Sequence, residues 1–272
     1  MSRADLQLHS DLGDGLSSPD EILAAAERCG LDVIALTDHD DIRGSFQLRD
    51  SAARQGSRVR VITGAEVTTR SGHLLALFIE DEVAMLRPLA ETIEAIHRLG
   101  GIAVVPHPLS YLTFSLGERA LRDIAASGVS VDGIELRNPS YAGRVRAHRA
   151  TWLNAHVLRV AETGSSDAHH AALVGTAWTE FPGTTAEDLR AAILARTTSP
   201  GGRAWTLREH LDGAVRQQWR SMVRDPAKRV WRSYVKGAVR PPGAQTEAAH
   251  RRGRAPGPER GVPPSEGSRG SR

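Results

Sequence analysis

Short apolar segments alternate with longer amphipathic segments over the first two thirds of this chain. Runs of four to eight apolar, often β-branched residues predict buried strands, and apolar residues spaced three or four positions apart predict helices. Strands are expected at residues 5–9, 31–36, 59–66, 74–79, 102–105, 133–136, 157–161 and 175–181. Helices are expected at residues 18–28, 45–55, 88–99, 117–127, 145–155 and 186–195. This alternation predicts an α/β fold of βα units around a mainly parallel sheet, with enough units to close a barrel.

Histidines and acids recur just after the predicted strands. In a βα barrel the chemistry lies at the carboxyl ends of the strands, so these side chains are expected to meet at one rim. Imidazole nitrogens and carboxylate oxygens are the groups that hold Zn²⁺, Mn²⁺ or Fe²⁺. The pattern therefore predicts a hydrolytic site with several metal ions. The candidate ligands are His9, Asp14, His39, Glu66, His73, His107, Asp167 and His169.

The composition is that of an ordinary globular protein. The chain has 272 residues, of which 40% are apolar and 25% charged, and it contains no apolar run long enough to span a membrane. Cys29 is the only cysteine, so no disulfide can form within the chain. Together with an N-terminus that lacks a signal-peptide pattern, this favours a cytoplasmic protein.

The C-terminal quarter has a different character. Aromatic and apolar residues are interleaved with Arg and Lys between residues 204 and 237, as in one or two amphipathic helices. Such a region either contacts nucleic acid or a membrane surface, or packs its tryptophans on the barrel while its basic face meets water. From residue 240 onward large apolar residues are almost absent, which predicts disorder. We expect a barrel at 1–200, a basic helical extension at 203–238 and a disordered tail at 239–272.

Several short motifs resemble the PHP family of polymerase-associated and histidinol-phosphatase-like metal phosphoesterases, in its small stand-alone form. They are Asp5-Leu-Gln-Leu-His-Ser10, Gly13-Asp-Gly15, Ala35-Leu-Thr-Asp-His-Asp40, Gly64-Ala-Glu66, His107-Pro108 and Gly164-Ser-Ser-Asp-Ala-His169. The resemblance covers about residues 4 to 180 and implies a distorted barrel of seven βα units with two or three metal ions. It also implies hydrolysis of phosphate esters, including nucleotides or short oligonucleotides.

The resemblance assigns the candidate ligands to three adjoining metal pockets. Glu66 matches the glutamate that bridges two metals. The first pocket would contain His9, Glu66 and Asp167; the second Glu66, His73 and His107; the third Asp14, His39 and His169.

Gln7 departs from the family pattern, because the family's opening motif has a histidine at this position. A glutamine oxygen is a weaker donor than imidazole toward borderline metals. The first pocket would therefore bind its ion weakly, bind a harder ion such as Mn²⁺ or Mg²⁺, or stand empty.

Phosphate-ester hydrolysis requires a nucleophile at neutral pH and positive charge near the phosphoryl oxygens. Coordination to divalent ions lowers the pKa of water and supplies that charge. Glu66, Asp38 and Asp167 are expected to act in catalysis, although Asp38 either orients His39 or only caps its loop. The candidates for gripping the substrate phosphate are Arg137, Asn138 and, more weakly, Arg70; the alternative for each is a solvated rim residue.

Three functions fit the sequence. The first is a metal-dependent phosphoesterase acting on a phosphorylated small molecule or nucleotide. The second is a metallohydrolase of C–N bonds, since the same sites activate water against carbonyl groups. The third is a degraded domain, marked by Gln7, that only binds metal or nucleic acid. The sequence does not predict an oligomeric state.

Overall fold

Nine strands and seven α-helices make up residues 1–211, the part of the chain that this computed structural model describes. The predicted helical extension beyond Leu211 and the predicted tail lie outside the described residues. The strands are β1 (Ser2–Leu8), β2 (Val33–Leu36), β3 (Arg60–Thr68), β4 (His73–Leu77), β5 (Ile102–Val105), β6 (Gly133–Arg137), β7 (Ala161–Gly164), β8 (Ala177–Phe181) and β9 (Ser199–Gly202). The α-helices are α1 (Pro19–Cys29), α2 (Arg43–Gln55), α3 (Leu89–Arg98), α4 (Glu118–Ser127), α5 (Tyr141–Arg144), α6 (Ala147–Leu153) and α7 (Ala186–Ala195).

The strands form one sheet in the order β7-β6-β5-β4-β3-β2-β1-β8-β9. Its two ends approach each other, because the Thr179 hydroxyl on β8 bonds both backbone groups of Gly164 on β7. The Thr198 hydroxyl, just before β9, donates to the Glu162 carbonyl on β7 at 2.7 Å. The sheet is therefore nearly closed, which confirms the predicted α/β barrel.

Two strands, β4 and β8, run opposite to the others. β4 runs antiparallel to both β3 and β5, while β8 and β9 run antiparallel to their neighbours. β3 and β4 are joined by only residues 69–72, where the Thr69 amide and hydroxyl both donate to the Gly72 carbonyl. A connection this short can join only antiparallel strands. This hairpin is the main distortion of the barrel.

Helix α1 shows how local sequence fixes the element boundaries. Ser18 caps its N-terminus in a reciprocal capping box with Glu21, and Pro19 occupies the first turn. Gly30 ends the helix in the left-handed conformation, with φ of 66°. These are the start and stop predicted from the sequence.

The predicted helix at 145–155 and strand at 157–161 differ from the structure. The helix begins only at Ala147 as α6, because Arg146 is left-handed with φ of 61°, and it continues as a π-helical turn over Asn154–Leu158; the short α5 precedes the predicted range. The Asn154 side chain bonds both the amide and the carbonyl of Val160, which holds this wide turn closed. The strand starts only at Ala161, because Val157 and Leu158 pack on the hydrophobic core beneath the helices.

Apolar residues fill both the barrel and the layer between barrel and helices. Trp205, in the segment after β9, packs against this core and donates from its indole nitrogen to the Thr176 hydroxyl at 2.9 Å. At least this tryptophan of the basic extension lies on the barrel. Within residues 1–211 no helix is long and apolar enough to cross a membrane.

Candidate metal centre

All eight candidate ligands converge at one rim of the barrel. The parallel strands β1, β2, β5 and β7 deliver ligands at or just beyond their carboxyl ends, and the β3–β4 hairpin delivers two more. His39 and Glu66 are bridge partners across the β2–β3 edge. Backbone strain marks two ligand positions, since φ is 31° at His107 and 52° at Asp167. Non-glycine residues adopt this left-handed region at a cost, and such positions cluster at functional sites.

Glu66 stands at the centre of the cluster and is almost completely buried. Its Oε1 lies 2.8 Å from His73 Nδ1 and 3.1 Å from His107 Nε2. Its Oε2 lies 3.2 Å from His9 Nε2. Because each carboxylate oxygen faces a different set of imidazoles, Glu66 has the geometry of a carboxylate shared between two pockets.

Asp14 is the centre of a second group of imidazoles. Its Oδ2 lies 3.3 Å from His169 Nε2 and 3.8 Å from His39 Nε2, and its Oδ1 lies 3.5 Å from His9 Nδ1. The candidate donor atoms of these four residues all lie within 4.8 Å of one another. The third pocket expected from the family resemblance is therefore assembled, with His9 as a fourth member.

His9 and His39 each face two pockets through their two ring nitrogens. His9 Nε2 lies 3.4 Å from Asp167 Oδ1, in addition to its contact with Glu66. His39 Nδ1 lies 3.9 Å from Glu66 Oε2, and donor atoms of His39, Glu66 and His73 lie within 4.8 Å. The structure thus brings every residue of the three expected pockets together, but the pockets share more imidazoles than the sequence comparison assigns.

The arrangement of the donor atoms suits coordination of divalent cations better than it suits hydrogen bonds between the side chains. Both ring nitrogens of His9 and the Nδ1 atoms of His39 and His73 are buried without a properly aligned hydrogen bond, although carboxylate oxygens lie nearby. Buried polar atoms are normally hydrogen-bonded, so convergent unpaired nitrogens indicate ligands for a shared ion. Imidazole and carboxylate in this proportion suit Zn²⁺, Mn²⁺ or Fe²⁺.

Without cations, protonated imidazoles balance the carboxylates. Burial lowers the pKa of His9, but the negative carboxylates of Asp167 and Glu66 beside its ring outweigh burial and hold that pKa well above its usual value. For His107, burial is likewise outweighed by Glu66, and its pKa rises to about 9. Burial dominates at His39 and lowers its pKa to about 3. Glu66 itself is buried, yet the surrounding imidazoles hold its pKa well below the usual range.

Gln7 occupies the bottom of the first pocket and is completely buried. Its amide nitrogen donates to Glu66 Oε2 at 2.9 Å. Its amide oxygen is buried without a hydrogen-bond partner. The side chain thus binds the carboxylate oxygen that a cation in the first pocket would use.

The Asp38 side chain hydrogen-bonds to a neighbouring loop rather than to His39. Its two oxygens accept from the amide and the hydroxyl of Ser10, at 2.7 and 2.6 Å. This fixes the start of the loop that carries Asp14, in which Gly15 packs so closely that a Cβ would lie 2.2 Å from the His9 carbonyl oxygen. Of the two roles considered for Asp38, these contacts favour the loop clamp, and a direct part of Asp38 in catalysis stays a prediction.

Asn138 is buried beneath Asp167. Its amide nitrogen donates to Glu135 Oε2 at 3.1 Å and to Asp167 Oδ2 at 3.4 Å, while its amide oxygen accepts from the amide and hydroxyl of Ser140. These contacts use both ends of the side-chain amide, so they suit positioning of Asp167 rather than the predicted grip on phosphate. Arg137 is exposed at the end of β6, and the Arg70 Nε donates to the Leu86 carbonyl at 3.0 Å; their contact with phosphate stays a prediction.

Glu135 and Ser115 are functional neighbours that the sequence did not reveal. Glu135 Oε2 accepts from the His107 amide at 2.6 Å, and burial raises the pKa of Glu135 to about 8. The Ser115 hydroxyl lies 2.8 Å from His107 Nδ1, which orients the ring so that Nε2 faces Glu66. The alternation of side chains along β6 places Glu135 inward, whereas no spacing rule in the chain points to Ser115.

Family models match most of the described chain. The model described as "PHP domain" matches residues 5–124, and the one described as "PHP-associated" matches residues 146–198. The first covers all the candidate ligands up to His107, and the second covers Asp167 and His169.

Three curated relatives share part of the sequence. An uncharacterized protein of Methanocaldococcus jannaschii is 33% identical over 147 residues, which are 50% of this chain and 81% of the relative. A 5'-3' exoribonuclease of Haemophilus influenzae is 30% identical over 37% of each chain. A phosphoribosyl 1,2-cyclic phosphate 1,2-diphosphodiesterase of Eggerthella lenta is 32% identical over 34% of this chain and 37% of the relative. The chain thus spans well under half of the two named enzymes.

Solved structures share the fold. A two-domain protein from Bacteroides vulgatus, described as containing a predicted PHP-like metal-dependent phosphoesterase, has a TM-score of 0.61 and 20% identity, over 74% of this chain and 65% of that one. PsfC from Pseudomonas syringae has a TM-score of 0.59 and 20% identity, over 80% and 99%. The matched family models, together with the relative that is 33% identical and matched over 81% of its length, show that the chain belongs to the PHP domain family.

Proposed function

We propose that this protein hydrolyses phosphate mono- or diesters with the help of two or three divalent ions held by the eight ligands at the barrel rim. The observation that carries the proposal is the position of Glu66, whose two buried carboxylate oxygens face separate groups of imidazoles. Such a carboxylate can hold two cations close together. Bound ions lower the pKa of water and neutralise phosphoryl charge.

The ligands leave one side of the site open. His39, His73 and Asp167 keep a small exposed edge, whereas His9 and Glu66 are completely enclosed. We place the substrate phosphate at this open edge. Asp167 is held ionised there, since burial is outweighed by His9 and its pKa is lowered. An ionised carboxylate at this edge would orient the attacking water by accepting a hydrogen bond from it, with Asn138 fixing its other oxygen.

Nucleotides or short oligonucleotides are the substrates we favour. The named relatives include an exoribonuclease and a phosphodiesterase of a phosphoribosyl cyclic phosphate. The guanidinium of Arg137, exposed next to the site, would pair with a phosphate group. A cytoplasmic location and weak nucleic-acid contact by the basic C-terminal region stay predictions from the sequence.

The direct test is hydrolysis by metal-stripped protein reloaded with Mn²⁺, Zn²⁺ or Fe²⁺. We expect phosphate or nitrophenol release from p-nitrophenyl phosphate or its bis ester with at least one metal, and a loss of at least a hundredfold in Glu66→Gln. His148→Gln, an exposed histidine of α6, is the matched control and should keep full activity. Hydrolysis of amides but of no phosphoester would contradict the proposal and favour the C–N hydrolase. Inactivity with every metal and substrate, combined with salt-sensitive nucleic-acid binding, would favour the degraded binding domain.

A further inference from the structure

Exposed aromatic side chains are concentrated beside the metal centre. In residues 1–211, four aromatic residues are exposed, and three of them are Tyr111, Phe114 and Tyr141. Tyr111 and Phe114 lie in the loop after β5 (the β5 loop), and Tyr141 begins α5 in the segment after β6 (the β6 loop), at the end of the barrel that carries the ligands. Tyr111 is 74% exposed and Tyr141 is 63% exposed. Rings left so accessible at one place mark a binding surface rather than scattered exposure.

The two ends of the β5 loop, which carries Tyr111 and Phe114, are fixed by burial and hydrogen bonding. Leu109 and Leu116 are buried at its two ends, and the Leu109 amide donates to the Leu116 carbonyl at 3.0 Å. Between them, Tyr111 and Phe114 project outward. The Phe114 ring meets the His73 ring edge-on at 5.4 Å, and its carbonyl accepts from the His73 amide at 2.9 Å. The loop is therefore fastened directly to a candidate ligand.

The β6 loop is joined to both the β5 loop and the metal centre. The Ser110 hydroxyl donates to the Ala142 carbonyl at 2.8 Å, which brings the neighbours of Tyr111 and Tyr141 together. Asn138, at the start of the same loop, donates to Asp167. The Tyr141 amide donates to His210 Nε2 at 2.9 Å, so the backbone that carries this ring is anchored.

We infer that Tyr111, Phe114 and Tyr141 form a platform on which the nucleobase of a nucleotide stacks while its phosphate lies at the metal centre. This inference rests on the proposed function and narrows its substrate to phosphate esters that carry a flat ring. Every nucleobase has two π faces, so any of the bases can stack on Tyr or Phe. A ribose phosphate without a base lacks a π face that could stack on these rings.

The test compares adenosine 5'-monophosphate with ribose 5-phosphate on Zn²⁺-loaded protein. The apparent affinity is taken as KM where phosphate is released and as Kd by calorimetry where it is not. We expect the adenosine compound to bind at least tenfold more tightly. Tyr111→Leu and Tyr141→Leu should each weaken its affinity about tenfold without changing that of ribose 5-phosphate. Tyr111→Phe and Tyr141→Phe keep the ring and should bind as the parent does.

Trp152→Leu is the matched control, because Trp152 is the fourth exposed aromatic residue and stacks on Arg149 and His156 in α6 and the following turn. Trp152→Leu should change neither the affinity for adenosine 5'-monophosphate nor the affinity for ribose 5-phosphate. Equal affinity for the two ligands, or equal losses for both ligands in the leucine variants, would overturn the platform. A retained preference for the adenosine compound in a protein that hydrolyses neither p-nitrophenyl phosphate nor its bis ester would refute the proposed hydrolysis and leave the platform standing.

Discussion

Gln7 sets the number of metal ions that the centre retains. Its amide nitrogen donates to Glu66 Oε2 at 2.9 Å. A hydrogen bond to a charged group contributes about 1.5–3 kcal/mol. A cation that uses this oxygen must displace the bond, which corresponds to about 10- to 150-fold weaker binding in the first pocket. The wild-type protein should therefore keep two ions after dialysis and lose a third.

The change Gln7→His removes the competing donor and supplies an imidazole to the same pocket. We expect elemental analysis after dialysis to find about one more zinc per chain in this variant than in the wild type. Gln7→Leu is the control, because it removes the donor without supplying a ligand: it should tighten binding in the first pocket by no more than the cost of the lost bond and retain less zinc than Gln7→His. Equal metal content and affinity in wild type and Gln7→His would refute the reasoning.

Three further predictions follow from the contacts around the ligands. Asp38→Ala leaves Ser10 without its two bonds to a buried carboxylate and should lower the free energy of unfolding by about 3 kcal/mol; an unchanged thermal midpoint would contradict the clamp. Asn138→Ala releases Asp167 and should weaken metal binding about 10- to 100-fold, as measured by competition with a chelating dye, whereas His148→Gln should have no effect. Finally, the raised pKa values of His9 and His107 mean that protons occupy these rings at neutral pH. Mn²⁺ affinity should therefore rise from pH 6 to 9, and the metal-free protein should lose stability as pH rises through about 9; a flat Mn²⁺ affinity over this range would count against protonated imidazoles.

Local sequence was enough to predict the features that depend on neighbouring residues. The capping box of Ser18 and Glu21 and the stop at Gly30 lie within a few positions of each other, so the boundaries of α1 could be deduced directly. The ligands could be located because the carboxyl ends of parallel strands meet at one rim. The common geometry of a βα barrel, rather than any single motif, brings His9 and Asp167 within 3.4 Å.

Features that depend on contacts between distant segments could not be predicted in this way. The bond from Ser10 to Asp38 spans 28 residues, and so does the bond from His107 to Glu135. The roles of Asp38 and Glu135 became clear only from these contacts. The late start of β7 has a local cause that the apolar pattern does not show, because the Asn154 side chain bonds the Val160 backbone six residues further on and delays the strand.

Anomalous X-ray diffraction from crystals equilibrated with Mn²⁺ is the most direct measurement of the metal centre. Our account predicts at least two peaks, about 3.5–4 Å apart, with Glu66 coordinating both. The pair that shares Glu66 lies near His73 and His107 and near His9 and Asp167, where excess Mn²⁺ offsets the weak first pocket. A third peak lies near Asp14 and His169. A single ion that does not touch Glu66, or peaks only elsewhere on the surface, would contradict the claim that this rim is a metal centre with a shared carboxylate.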